Sequence, residues 1–213
     1  MSEELKLNEN VGALQPDALA RIARKDDFLQ QLQEFLAQHK GENWCVSAID
    51  IEHFKLYTEL YGAQQAHSLM LSLTALLLEH SKATGSPVGY FGNDDFVLCL
   101  PGDKEQQLAI ISQLQTCVNS HRQDVTFFLS FGVCPVAEHP DADAQTLCSY
   151  AQIASVDPSP AVGGVHRFTP AMLSCLKKQR QLLSELERAL KNHEFCFFLQ
   201  PKCNSMTRAI VGM

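Results

Sequence analysis

A chain of 213 residues, 46% of them hydrophobic, holds enough apolar material for one sizeable core, or for one domain with an appendage. Its formal charge of −7 excludes a general binder of DNA or of anionic membranes, whose electrostatic footprint is basic; Arg21, Arg24 and Lys25 make only a small local patch. No stretch is long and apolar enough to span a bilayer, and the start of the chain, with Glu3, Glu4, Asn8 and Glu9, lacks the basic-then-apolar order of a signal peptide.

Residues 17–39 read as a helix, with Leu29, Leu32, Phe35 and Leu36 at three- and four-residue spacing among Gln and Glu. Residues 44–51 follow as a buried strand that delivers Asp50 near its C-terminal end. A second helix is predicted over 57–80, with Leu69, Leu73, Leu76 and Leu77 on one face, and Gly85-Ser86-Pro87 breaks the chain after it. Gly89-Tyr90-Phe91 and Phe96-Val97-Leu98-Cys99-Leu100 then pair as a hairpin across Gly92-Asn93. A third helix covers 104–119, carrying Leu108, Ile111, Leu114 and Val118, and a strand covers 125–133, with Pro135 and Pro140 fixing the loop beyond. Residues 146–154 form a short helix, 157–164 a break and 165–168 a last short strand. A final helix over 170–192 presents Leu173, Leu176, Leu183, Leu186 and Leu190 as an apolar stripe. Helices and strands alternating around one antiparallel hairpin fit an α+β palm-like sheet with helices packed on it.

The chemistry concentrates at Phe91-Gly92-Asn93-Asp94-Asp95-Phe96. Two adjacent carboxylates on a hairpin tip, with Asp50 on a neighbouring strand end, are the residue types that hold Mg²⁺ and present it to phosphates. Asp is also a turn former, so the spacing leaves a purely structural turn open. The eight cysteines are scattered, with neither a Cys-x-x-Cys pair nor a zinc-like Cys/His spacing. Cys45 and Cys99 lie in apolar runs, so buried reduced thiols are expected, and with them a cytoplasmic location or the cytosolic portion of a larger protein.

Asp50-Ile51-Glu52-His53-Phe54-Lys55, then Tyr61-Gly62, then Gly92-Asn93-Asp94-Asp95-Phe96, resembles the GGDEF (diguanylate cyclase) family, whose pattern is Asp-Ile-Asp-x-Phe-Lys, a Gly-His pair on a helix, and Gly-Gly-Asp/Glu-Glu-Phe on a hairpin. Leu129-Ser130-Phe131-Gly132-Val133 is similar to its Ser-x-Gly strand, and the stretch from Asp17 to Phe28 to its opening motif. The resemblance covers about residues 17–168 and implies the nucleotide-cyclase palm: an antiparallel sheet flanked by helices. It also implies a homodimer that joins two GTP molecules into cyclic di-GMP with divalent metals, Mg²⁺ or alternatively Mn²⁺. Residue by residue, the metal ligands would be Asp50, the Ile51 carbonyl and Asp94; Asp95 would stand at the catalytic Glu position, one methylene shorter. Lys55 matches the phosphate-contacting Lys, and Phe54 and Asn93 fall at nucleotide-binding positions.

Other positions depart from the pattern. Asn93 replaces the second motif Gly, where a side chain crowds the nucleotide. The guanine-recognising Asn is Thr58 and the guanine-recognising Asp is His67, read here as an ordinary solvated residue. An unpaired guanine edge costs on the order of several kcal/mol in a selective site. The late cationic phosphate clamp falls near 158–163 with neither cation retained, Tyr90 stands where the family has an Arg, and the inhibitory Arg-x-x-Asp reads Ala83-Thr84-Gly85-Ser86. The resemblance is therefore to a degenerate GGDEF domain, with weak or no guanine-nucleotide binding.

Leu186-Glu187-Arg188-Ala189-Leu190, then Glu194-Phe195-Cys196-Phe197-Phe198-Leu199-Gln200-Pro201-Lys202 and Ala209-Ile210-Val211-Gly212-Met213, resembles the opening of an EAL phosphodiesterase domain, with Gln200 at the position that contacts cyclic di-GMP. The organisation expected is an N-terminal extension over 1–16, a degenerate GGDEF domain over 17–168, a linker helix over 169–193 and an N-terminal fragment of an EAL domain over 194–213. Three functions fit this reading. One is a non-catalytic regulatory module of a GGDEF–EAL tandem protein whose partner is its own EAL domain. The others are a weak diguanylate cyclase, and a protein or RNA interaction scaffold that binds no nucleotide.

Overall fold

The computed structural model describes residues 18–121, 125–157 and 164–212. The chain divides into two units, one ending at Met172 and the other running from Leu173 to Met213. Among the described residues no helix is long and apolar enough to cross a membrane.

The first unit opens with a single helical turn, α1 (Ala18–Arg21), and α2 (Lys25–Gln38), followed by β1 (Trp44–Ile51) and the long α3 (Phe54–Thr84). The hairpin β2 (Val88–Gly92) and β3 (Asp95–Pro101) comes next, then α4 (Lys104–His121), β4 (Leu129–Pro135), a 3₁₀ turn (Val136–Glu138), α5 (Ala144–Ser155), β5 (Val165–Arg167) and the start of α6 (Pro170–Lys191). The sheet order is β2-β3-β1-β4-β5, so β1 is central. It pairs antiparallel with β3 on one side and β4 on the other, whereas β5 joins β4 in parallel.

The two-residue period of the strands sorts their side chains into two cores. Ile49, Ile51, Phe96, Leu98, Leu100, Leu129 and Phe131 face Leu69, Leu73 and Leu77 of α3 and Ile110, Ile111 and Leu114 of α4. Val46, Ala48, Val97, Cys99 and Cys134 face Phe28, Leu32 and Phe35 of α2 and Leu147, Cys148 and Ala151 of α5. Each such Leu, Ile or Phe contributes about 1.5–3 kcal/mol by leaving water. The result is a helix–sheet–helix sandwich, the α+β palm expected.

One close approach holds α5 against β4. A Cβ on Gly132 would collide with the backbone oxygen of Ala151 and the backbone nitrogen of Ser155, so only glycine lets the helix come so near. Beside it the Ser130 hydroxyl donates to the Ser155 carbonyl at 2.6 Å. The Asp143 side chain caps the start of α5, accepting from the Thr146 amide at 2.8 Å.

Several elements differ from the sequence-based expectation. The helix predicted over 17–39 is interrupted at Ile22 to Arg24, because Ala23 bridges to Gly89 and accepts a hydrogen bond from the Tyr90 amide at 2.9 Å. The helix predicted over 57–80 is longer at both ends and bends at Gly62, which sits at φ 81°. The strand predicted from 125 begins at Leu129, since Phe127 turns in to pack its ring 5.0 Å from that of Tyr57. Leu108, placed on the apolar face of its helix, is 53% exposed, and Gln107 is buried instead, donating to the Pro101 carbonyl.

In the second unit α6 ends at Lys191, and its Leu182, Leu183, Leu186 and Leu190 are all exposed. A small hairpin follows, β6 (Lys202–Cys203) with β7 (Ile210–Gly212), turned by Asn204, whose side chain accepts from the amides of Met206 and Thr207. The Gln-Pro stretch before it, including Phe197, Phe198 and Gln200, is exposed and forms no strand among the described residues.

Candidate nucleotide and metal site

Continuing the β1–β3 register one step beyond Ile49↔Phe96 brings Asp50 opposite Asp95, and Asp94 occupies the turn beside them. The turn itself differs by one residue from the expected Gly92-Asn93. A register shift between Tyr90 and Gly92 pairs Gly92 with Asp95, leaving Asn93 and Asp94 as the two turn residues. Asn93, the first turn residue, takes a left-handed conformation at φ 53°, which Asn tolerates better than most residues, and Gly92, at the register shift, sits at φ 108°. The Asn93 side chain is exposed at the tip.

The carboxylates are close enough to perturb one another. Burial raises the pKa of Asp50 to about 6, and the charges of Asp94, Asp95 and Glu52 add to the rise against the opposing effect of His53. Asp94 is raised by burial and by Asp95, and the amides of Asp94 itself and of Ile51 pull it partway back. Asp95 is raised by burial. A cluster of acids that repel each other in a half-buried place gains from a bound cation.

The oxygens that could hold a metal here are hard ones: the carboxylates of Asp50 and Asp94, with the Ile51 carbonyl as the third ligand expected from the sequence. Among the described residues no three His, Cys, Asp or Glu side chains form a metal-holding group. This set therefore suits a cation that keeps several waters and completes its shell with phosphate oxygens, as Mg²⁺ does, rather than an all-protein cage.

Two of the remaining predicted residues, Phe54 and Lys55, follow directly on the end of β1. Lys55, in the first turn of α3, is exposed, and Phe54 stacks on Tyr57 at 6.2 Å between ring centroids. His53, just ahead of α3, takes a left-handed conformation at φ 59°, and the Glu52 amide donates to the Phe128 carbonyl, which fixes the end of β1. At the guanine-recognition positions, the Thr58 hydroxyl turns back to donate to the Phe54 carbonyl at 3.1 Å, and His67 is exposed on α3. The stretch 158–163, to which the phosphate-clamp comparison applies, lies outside the described residues. Gln200 belongs to the second unit.

Sequence reasoning left two contributors without a role. The Tyr90 hydroxyl donates to the Asn93 carbonyl at 2.7 Å and so braces the turn. The Arg24 guanidinium lies 5.2 Å from the centroid of the Tyr90 ring. Burial raises the Tyr90 phenol, Arg24 opposes the rise, and Asp94 and Asp95 add to it. Nothing local in the sequence couples residue 24 to residue 90. A separate open groove of about 500 Å³, lined by Arg21, Asp27, Gln30, Glu34, Ser81 and Val88, contains none of the hairpin carboxylates.

A palm-like sheet presenting carboxylates at a strand end and a hairpin tip defines the nucleotide-cyclase class of fold. A family model described as diguanylate cyclase, GGDEF domain, matches residues 15–157, and the chain belongs to that family. The GGDEF domain of PA1120 (TpbB or YfiN) from Pseudomonas aeruginosa is similar with a TM-score of 0.60 at 20% identity, covering 76% of this chain and 98% of that one. The active GGEEF domain of a diguanylate cyclase from Vibrio cholerae gives 0.58 at 17% identity, covering 70% and 99%. The GGDEF domain of DgcB from Caulobacter crescentus, in complex with c-di-GMP, gives 0.55 at 16% identity, covering 68% and 91%. At such identities the likeness establishes the fold. An uncharacterized signaling protein of Caulobacter vibrioides is 24% identical over 208 residues, covering 92% of this chain and 25% of its own length, so the chain spans about a quarter of that relative.

Proposed function

We propose that this chain is the non-catalytic regulatory GGDEF module of a cyclic di-GMP signalling protein of GGDEF–EAL tandem type, acting in the cytoplasm. The observation that carries the reading is the state of the base-recognition positions. The Thr58 hydroxyl donates its proton to the Phe54 carbonyl and the exposed His67 stands where the family has a carboxylate, so the amide and the bidentate acceptor for a guanine edge are both missing. A buried N–H edge without partners costs a few kcal/mol, enough to remove selectivity for guanine. Asp50, Asp94 and the Ile51 carbonyl hold Mg²⁺, or Mn²⁺ in its place, and Lys55 meets phosphate while Phe54 and Asn93 border the nucleotide. GTP is then a weak, metal-dependent and poorly selective ligand, and Asp95 is a vestige of the catalytic acid position.

The likeness to the Caulobacter vibrioides relative covers 92% of this chain and so runs past residue 157, where the GGDEF match ends, into a segment the two share. On this reading α6 links the module to an EAL domain that begins in residues 194–213, with Gln200 at its ligand position. The runner-up, a weak diguanylate cyclase, is favoured by the clustered carboxylates of Asp50, Asp94 and Asp95. Product chromatography after incubation with GTP and Mg²⁺ or Mn²⁺ separates the two. No cyclic di-GMP is expected; turnover that disappears in Asp50→Ala or Asp94→Ala would establish the cyclase.

A further inference from the structure

We propose that Arg24 is a phosphate-binding residue of this site, a cation delivered to the hairpin tip from the start of α2 rather than from the hairpin itself. The inference rests on the metal–nucleotide reading above and adds to it a residue that the motif comparison does not supply.

The placement is structural. The Tyr90 amide donates to the Ala23 carbonyl at 2.9 Å, which pins the residues ahead of α2 to the edge of β2. That contact puts the Arg24 guanidinium over the Tyr90 ring at 5.2 Å, while the Tyr90 hydroxyl reaches the Asn93 carbonyl of the carboxylate-bearing turn at 2.7 Å. A guanidinium resting on an aromatic face keeps its N–H fork available in the plane, the geometry suited to a phosphate. Arg24 is exposed, and among the described residues the ion pairs are Arg167–Glu138 and Arg188–Glu185, so none of their carboxylates lies within 4.0 Å of it. Asp26 and Asp27, in the same helical turn, do not pair with it.

Charge balance points the same way. Asp50, Asp94 and Asp95 repel one another at the tip, and Arg24 adjoins that turn by way of Tyr90 without an ion-pair partner among the described residues. A metal-bound polyphosphate satisfies both groups at once: the cation takes the carboxylates, and its phosphate oxygens take the guanidinium. Lys25 is an internal control. Its ammonium lies 5.8 Å from the Phe91 ring, and successive side chains of β2 point to opposite faces, so Lys25 faces away from the Tyr90 side. Tyr90 packs with the α3 and α4 core and Phe91 with the α2 and α5 core.

The test is anisotropy of a fluorescent GTP analogue with the full chain and Mg²⁺, with inorganic triphosphate as competitor. Arg24→Ala should weaken both ligands about tenfold, as expected for losing a charge-assisted hydrogen bond. Arg24→Lys should recover part of the loss, and Lys25→Ala should change affinity less than about twofold. Thermal melts of the variants should match the parent, because both side chains are exposed. Equal affinity of Arg24→Ala and parent overturns the proposal while leaving the site reading intact. So does equal weakening by Arg24→Ala and Lys25→Ala, which would signal a general charge effect. If the parent itself binds neither ligand, or binds them without need of Asp94, the underlying site reading falls and takes the proposal with it.

Discussion

Replacing Asp50 with Asn should stabilise the metal-free protein at neutral pH. The folded chain holds the Asp50 proton up to about pH 6 against an ordinary value of 3.8, first because burial penalises the ionised form and then because Asp94, Asp95 and Glu52 repel it. A rise of about two units corresponds to at most about 3 kcal/mol. The site is only half-buried, and solvent screening reduces this to about 1 kcal/mol. The folded state binds the proton more tightly than the unfolded state, so the penalty is absent below about pH 4 and complete above about pH 6. Asn carries no charge at any of these values. Urea titrations in a chelator should therefore show Asp50→Asn more stable by about 1 kcal/mol at about pH 7.5, with the gap closing at about pH 4. Added Mg²⁺ at neutral pH should raise the midpoint of the parent and leave that of the variant unmoved. A gap that is absent, reversed or independent of pH would refute the electrostatic account of the tip.

Two further outcomes follow from the packing. Gly132→Ala should lose about 3 kcal/mol, read as a lower urea midpoint, because the new methyl meets backbone atoms of α5 that cannot rotate away; an unchanged midpoint would mean that α5 docks more loosely than described. In native protein, Cys175, Cys196 and Cys203 are exposed and should alkylate readily, whereas Cys99, Cys134 and Cys148 should react only after unfolding. Burial pushes the Cys134 and Cys148 thiols up to about 12, and Cys99 higher still. Mass spectrometry of labelled peptides decides it, and early modification of Cys148 would count against the α5 core.

Much of the palm was legible because its strands and helices advertise their periods. The strand around Val46 and the hairpin from Val88 to Pro101 are apolar runs with a turn signal between them, and no other partner satisfies them. What escaped the sequence was set by contacts between distant residues. The break at Ala23 follows from pairing with Gly89, which no local propensity encodes, and a helix-like run of apolar spacing conceals it. The one-residue shift of the turn follows from the irregularity between Tyr90 and Gly92 that lets Asp94 occupy a turn position. At the site, the placement of Asp50 beside the hairpin acids could be anticipated from motif order. The contacts of the Tyr90 hydroxyl and of Arg24 could not, because they exist only once α2 abuts β2. A signal for Gly132 was present: a lone glycine in a fully buried apolar strand marks a close backbone approach.

The rims of the sheet limit how anything can join it. The outer side of β2 is already engaged where Ala23 bridges to Gly89 and accepts from Tyr90, and β5 at the opposite rim is only three residues long. Neither rim offers a long row of unsatisfied amides and carbonyls, so augmentation by an added strand is disfavoured on both sides. Among the described residues, the exposed helix faces and the turn at Asn93 are better placed than the sheet rims to meet a partner.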